Sequence, residues 1–505
     1  MRCAQISIVN LAERFQAQPA GRVALVVGDR TVSYEALAAR VNAWRGGLTA
    51  AGLEPGDRVA IVAGNSEIFV VGYLAALTGG FVAVPLNPTS PAAVLGQELA
   101  EVEASAVIVD RVGQVSWAQM KAEDGSPSLA PTGGGCSFIA DGDAFPELDR
   151  AEPTPLVPVP DEHHAVLLYT SGTAGRSKPA VLTHGNLSSS LVSLGQLPDV
   201  DLDRHHQVLA VIPLFHVFGL NVIVNLGLSI GATLVLEEHV APAHTAELLR
   251  RHNVSMVLGP PNMWSAFLGS TDLLPGDFEQ VEIAVSGAAK LSPVTWQALR
   301  DRFGVDVREG YGLTETGGIV ASAAGVGSPA GSVGVPMPGV DLRLVDPEGR
   351  DVLVGDPGEI WVKGPMVSPG YWIGGEVLTY SRTDDGWLKT GDLGVVDDLG
   401  HLSIVDRLKD LIIVSGFNVH PGEVEEALAG HPDVAAVGVV GEVTEEHGEQ
   451  VVAHVVAVDG RELDLDELGR HAASLLARYK VPRRFVVVDS LPTGVAGKLR
   501  RRELH

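Results

Sequence analysis

The stretch Thr170-Ser171-Gly172-Thr173-Ala174-Gly175-Arg176-Ser177-Lys178 follows the apolar run 165–169 and precedes a second apolar run. It gathers the hydroxyls of Thr170, Ser171 and Thr173 and one ammonium, Lys178. Such a turn can present backbone N–H groups, hydroxyls and a cation to a polyphosphate. Gly172 and Gly175 let the backbone curl inward with no Cβ in the way. It is not a Walker A loop, because Lys178 stands three residues after Gly175 instead of directly after a glycine.

Further along, Glu309-Gly310-Tyr311-Gly312-Leu313-Thr314-Glu315-Thr316 sets an aromatic ring between glycines, which suits stacking on a purine. Thr314 and Glu315 add hard oxygen ligands of the kind Mg²⁺ takes. Lys389-Thr390-Gly391-Asp392 reads as a turn whose aspartate either accepts ribose hydroxyls or caps its own backbone. Asp406-Arg407-Leu408-Lys409-Asp410 is a charged break before the apolar run 411–414, and the polar loop 492–498 ends in Lys498. His216, alone among apolar neighbours, has the setting of a packed core histidine as much as of a functional one. The chain has only eight lysines, and Lys178, Lys389, Lys409 and Lys498 all fall in these stretches. A compact ammonium suits a point contact to an oxyanion better than a planar guanidinium does.

The elements that must hold these residues alternate between strands and helices. Helices are expected over 10–18, 34–51 and 66–78, a hairpin over 23–34, and buried strands over 58–62 and 81–86. Strands ending in small residues are expected over 254–258, 283–289 and 305–309. Such alternation predicts a mostly parallel sheet covered on both sides, with ligands at the strand ends. Residues 112–160, rich in Gly, Pro and acids, are expected to be a loop-like connector. From 339 the texture shifts to short strands and turns, and the last hundred residues predict a small α+β unit. The expected fold is α/β: a large N-terminal domain (1–406) of mixed α/β sheets with a β-rich subdomain, and a small mobile C-terminal α+β domain (407–505).

A chain of 505 residues needs more than one core. Its net charge of −26 argues against nucleic-acid partners and requires a locally positive site for any anionic substrate. Two cysteines give neither a disulfide framework nor metal-ligand spacing. The N-terminus lacks a signal-peptide pattern, so the cytoplasm is the expected location. The uncharged stretch 208–236 is interrupted by Pro213, Gly219, Asn221, Asn225, Gly227 and Gly231, which predicts buried strand, turn, helix and strand instead of a transmembrane segment. Peripheral membrane contact stays open.

Together, and in this order, the motifs resemble the adenylate-forming superfamily of acyl-CoA synthetases, nonribosomal adenylation domains and luciferases. The resemblance implies ATP, Mg²⁺ and CoA as cofactor and co-substrates. It implies that Thr170, Ser171, Gly172, Thr173, Gly175 and Lys178 hold the ATP phosphates, and that Gly287, Ala288 and Tyr311 line the adenine. Thr314 would contact the α-phosphate, Glu315 would ligate Mg²⁺, and Asp392 and Arg407 would hold the ribose. Lys409 matches the hinge and Lys498 the lysine that bridges carboxylate and α-phosphate. His216 and Gly310 would lie beside the acyl carboxylate and Gly416 beside the pantetheine channel. Two departures stand out: Ser177-Lys178-Pro179 replaces Pro-Lys-Gly, removing one backbone donor, and Ala496 replaces Thr in the terminal loop.

Pro213-Leu214-Phe215-His216 and Ser415-Gly416-Phe417-Asn418-Val419 look like the fatty-acyl-CoA ligase branch, so a medium- or long-chain fatty acid is the expected substrate. An aryl-CoA ligase and a ligase loading a separate carrier protein are the alternatives. The expected acyl pocket, formed by 216–227, 260–268, 286–288 and 310–313, is apolar and fits chain or ring, with Trp264 either shortening it or serving as core. A nucleotide-binding sensor would need neither Lys498 nor Glu315.

Overall fold

The computed structural model describes all residues except 1–10, 124–135, 141–144, 171–176, 199, 380, 415–416, 445–447, 495–498 and 505, and describes no side chain at 409, 417–418, 444 or 448. Among the described residues the strands form four sheets.

Two large sheets share one core. The first has nine strands, with the parallel run Ile283–Ser286, Met256–Gly259, Gln207–Ala210, Thr233–Leu236 and Val23–Val27 at its centre. Its edge is the expected hairpin, Val23–Val27 with Arg30–Ser33, turned at Gly28, whose φ of +58° suits a residue without a Cβ. The second has eight strands, among them Val82–Leu86, Arg58–Val62 and Ala106–Val109 in parallel. The helix Glu67–Thr78, capped by Ser66, is buried at every position, which explains a sequence that is apolar all round. Side chains from both sheets and from this helix, including Leu25, Val208, Ile61, Ala83, Phe69 and Tyr73, meet in a single cluster.

The stretch 112–160 is less irregular than its composition predicts. It holds the helices Gln114–Glu123 and Pro146–Asp149 and the strand Cys136–Ile139, which adds in parallel to Ala106–Val109. Four residues make that strand, too few for a period to show in sequence. Asp149 is also tied in, accepting from Arg40 Nε at 2.8 Å and Trp44 Nε1 at 2.7 Å.

The third sheet is antiparallel, in the order Asp341–Val345, Gly358–Lys363, Leu388–Val396, Leu402–Arg407. The fourth contains Ile412–Val414, Gly448–Ala457, Val434–Thr444 and Arg484–Val487, covered by the helices Pro421–Ala429 and Leu465–Leu475. No helix among the described residues is long and apolar enough to cross a membrane. The uncharged stretch instead forms Gln207–Ala210, a π-helix Phe218–Asn225 running into Leu226–Ser229, and Thr233–Leu236.

Candidate active site

The strand His164–Thr170 pairs antiparallel with Lys178–Thr183, and Thr170 stands opposite Lys178. The residues that flank 171–176 are therefore held opposite each other. Ser177 Oγ donates to the Thr170 carbonyl at 2.5 Å. Ser171, Gly172, Thr173 and Gly175 lie outside the described residues. Pro179 faces Tyr169, one residue before the stretch that pairs with Gly370–Ile373, where Ala180 faces Tyr371.

Beside this hairpin, Thr314–Thr316 forms a 3₁₀ turn directly after the strand Arg308–Tyr311. Glu315 is half-buried, and its Oε1 accepts the Tyr371 hydroxyl at 2.5 Å while its carbonyl accepts Ser368 N at 2.7 Å. Tyr371 is a site neighbour that sequence reading missed, since nothing in a strand 56 residues downstream marks it. Burial and the nearby Glu315 charge push its phenol well above the usual range, so it stays a donor.

Tyr311 is buried, and its hydroxyl donates to Asp392 Oδ2 at 2.7 Å. Arg407 Nε meets Asp392 Oδ1 at 2.9 Å, the two residues facing each other across Leu388–Val396 and Leu402–Arg407. The expected turn at 389–392 is thus a correction: Asp392 lies inside a nine-residue strand, kinked at Gly391 with φ +72°. The glycine that looks like a turn former bends the strand instead of ending it. Asp392 is almost fully buried, so its charge needs both partners. Burial, reinforced by the Asp392 charge, drives the Tyr311 phenol far upward.

Gly287 and Ala288 follow the strand Ile283–Ser286. Ala288 adopts φ +69°, a left-handed conformation that costs an L-residue roughly 1–2 kcal/mol. The next turn is fixed by Glu309, which accepts Leu291 N at 2.9 Å and is pushed up to about 7 by burial. His216 is half-buried, and its Nδ1 accepts Phe218 N at 3.2 Å, which leaves the ring proton on Nε2. The turn before it is held by Asn65, buried and equally unforeseen. Asn65 Nδ2 lies 3.0–3.2 Å from the carbonyls of Ala210, Ile212 and Glu237, and its Oδ1 accepts Leu214 N at 2.9 Å.

An apolar pocket of about 770 Å³, open mouth included, has His216, Gly287, Ala288, Gly310 and Gly312 in its wall. Alternate residues of two parallel strands line one side: Met256 and Leu258, then Ile283, Val285 and Gly287. The four strand steps from Ile283 to Gly287 make this wall roughly 13 Å long. The wall also includes Leu194, Leu197, Val200 and Leu202, none of which the sequence reading included. Gly325 fixes that wall, since a Cβ there would stand 1.6 Å from the Pro198 carbonyl oxygen. The expected contribution of 260–268 is not found. Trp264 is fully buried in the separate cluster beneath the sheet, and its Nε1 donates to Val285 O at 3.3 Å.

Lys409 lies in the 3₁₀ turn Leu408–Asp410, with its side chain outside the description, and Gly416 and Lys498 lie outside the described residues.

Residues 11–372 match the model of the AMP-binding enzyme family, and 423–498 match that of the AMP-binding enzyme C-terminal domain. A feruloyl-CoA synthase of Amycolatopsis sp is 35% identical over 95% of this chain and 94% of its own. A long-chain-fatty-acid–CoA ligase of Bacillus subtilis is 32% identical over 90% of this chain and 86% of its own. The crystal structure of ATP-bound MatB from Rhodopseudomonas palustris superposes with a TM-score of 0.90 at 31% identity, covering 98% of both chains. The chain belongs to the AMP-binding enzyme family, within the adenylate-forming superfamily. Within it, the protein is an AMP-forming acid–CoA ligase, and its substrates include ATP and a carboxylic acid.

Proposed function

We propose that this ligase activates a medium-chain fatty acid. The observation that carries the reading is the apolar pocket whose lining includes no charged side chain and whose wall from Ile283 to Gly287 runs four strand steps, roughly 13 Å. A zigzag of roughly 1.5 Å carbon–carbon bonds advances about 1.25 Å per carbon, so about ten carbons span that length. A dicarboxylic acid would bury a second charge without a partner, which is costly. An aryl-propenoic acid is the second reading, favoured by the similarity to a feruloyl-CoA synthase.

In this reading a carboxylate oxygen of the acid attacks the α-phosphorus of ATP. The new P–O bond forms as the bond to the bridging oxygen breaks, and pyrophosphate leaves with that electron pair. CoA then loses its thiol proton, its sulfur bonds the acyl carbon, and AMP departs. The first step brings two anions together, so positive charge and donors must be in place beforehand.

Thr170 and Lys178, with Ser171, Gly172, Thr173 and Gly175 between them, would cradle the β- and γ-phosphates, the pairing of Thr170 with Lys178 supporting a closed tip. Tyr311, Gly287 and Ala288 would line the adenine, and Asp392 with Arg407 the ribose. Thr314 would meet the α-phosphate. His216 and Gly310 border the pocket mouth, where the acid's carboxylate would sit. Glu315 fits Mg²⁺, offering one hard carboxylate oriented by Tyr371, and the ion would add positive charge beside the phosphates. Lys498 would bridge carboxylate and α-phosphate, and Gly416 would border the pantetheine path of CoA. Our reading divides the chain into 1–406 and 407–505 with Lys409 as hinge. Its support is that Leu402–Arg407 completes one sheet and Ile412–Val414 begins the next.

Thioester formation measured from butyric to palmitic acid, with cinnamic and ferulic acids alongside, tests the substrate. Highest kcat/KM near decanoic acid, with Leu202→Ala moving the optimum to longer acids, is expected. A preference for ferulic acid would replace this reading with the second.

A further inference from the structure

We propose that Arg501 is a positioning residue for the adenylation step, locking the chain terminus to the exit of the hinge so that Lys498 is delivered without slack. The inference rests on the role proposed above for Lys498.

The terminal segment is held by little apolar contact. Leu499 and Leu504 pack with Val440, Val452, Val486 and Leu491 in the smallest of the hydrophobic clusters. A bridge between Thr493 and Leu499, with Arg500 N donating to Pro492 O at 2.8 Å, pairs the residues on either side of 495–498. Just beyond this pairing, Arg501 turns inward. Its Nη2 and Nε meet Glu425 Oε2 and Oε1 at 2.7 and 3.2 Å, and its Nη1 meets Asp410 Oδ2 at 3.1 Å.

Both partners sit in telling places. Asp410 is the residue after Lys409, so it moves with the small domain in any rotation about that hinge. Glu425 lies on the helix Pro421–Ala429, and its Oε1 also accepts Val439 N at 2.8 Å, which anchors it to the strand Val434–Thr444. A guanidinium can satisfy both carboxylates at once because its donors form a fixed planar fork. The side chains of Arg501, Glu425 and Asp410 are each about four-fifths buried (19% exposed), where such bonds are screened little. Arg501 therefore ties the residue after Lys409 and the helix Pro421–Ala429 to the segment that follows Lys498.

Two half-reactions separate this role from general stability. Adenylation is read as pyrophosphate release with ATP and acid without CoA. Thioester formation is read from supplied acyl-adenylate plus CoA, a step that does not use Lys498. Arg501→Met should lower adenylation roughly 10²-fold, the scale set by a misplaced transition-state cation, and leave the second step within a few-fold. Arg501→Lys should rescue part of the loss. Asp410→Asn should lower adenylation in the same direction, and add less in the Arg501→Met background than alone. Equal loss in both half-reactions, tracking a lowered melting temperature, would overturn the proposal, as would no loss in either. Lys498→Ala is the control: if it keeps full adenylation, the role of Lys498 fails, whereas inactive Lys498→Ala beside fully active Arg501→Met fails only the inference about Arg501.

Discussion

Tyr311 and Asp392 stand 81 residues apart in the chain and are joined by one hydrogen bond of 2.7 Å, phenol to carboxylate. Arg407 takes the other carboxylate oxygen at 2.9 Å. The bond ties the end of a parallel strand in the large core to the antiparallel sheet beyond it, so three separate motifs become one wall. A buried carboxylate with two donors is pre-oriented, and its cost of ordering is met before any nucleotide binds.

Tyr311→Phe keeps the ring and removes the donor. The expected result is a KM for ATP raised roughly tenfold, the worth of one hydrogen bond to a charged group, with kcat little changed. Asp392→Ala should cost more, because it leaves the half-buried Arg407 without this partner and Tyr311 without its acceptor. Steady-state kinetics with ATP varied at saturating acid distinguish these outcomes from a folding defect, which would lower kcat instead.

Glu315→Gln keeps the shape and the Tyr371 contact but removes the charge. A fall in kcat of roughly 10²-fold and a higher Mg²⁺ requirement are expected. Tyr371→Phe should shift the Mg²⁺ dependence in the same direction by less. Rate against Mg²⁺ concentration reads both, and an unchanged Mg²⁺ profile for Glu315→Gln would remove the metal role.

Asn65 offers a test of scaffold rather than chemistry. Asn65→Ala removes a partner from the carbonyls of Ile212 and Glu237 and from Leu214 N, all buried, while the Ala210 carbonyl keeps Glu237 N. A loss of roughly 2–4 kcal/mol is expected, seen as a lower calorimetric melting temperature. At a permissive temperature the KM for the acid should rise more than that for ATP, because the turn leading to His216 loosens.

Glu309 makes stability depend on pH. Its folded value of about 7 lies above the ordinary 4.5, so the native state holds a proton that the unfolded chain has already released. Its contribution is therefore most favourable at low pH and declines as pH rises from about 4.5 to about 7, by roughly 3 kcal/mol in all. Glu309→Gln mimics the protonated form. The melting temperature of the variant relative to the wild type should rise between pH 5 and pH 8, and a pH-independent difference would refute the assignment.

Much of this architecture is legible in the sequence where the signal is local. The helix Tyr34–Ala50 and the hairpin turned at Gly28 before it stand where the sequence predicts them. Tyr311, Glu315 and Asp392 announce themselves by residue type beside glycines. What escapes is whatever depends on distant partners. Asn65 binds groups 145 to 172 residues away, and the lining residues Leu197 and Val200 flank Pro198, whose carbonyl approaches Gly325 too closely for a Cβ there. Trp264 takes the core role of the two read for it, fully buried in a second core.

The most direct test of the whole account is pyrophosphate release from ATP, Mg²⁺ and decanoic acid by the wild type and by Lys498→Ala, each with and without CoA. The account predicts acid-dependent release by the wild type, a CoA-dependent thioester in equal amount at completion, and loss of both in the variant. Undiminished release by Lys498→Ala, or wild-type release with no thioester when CoA is present, would contradict it.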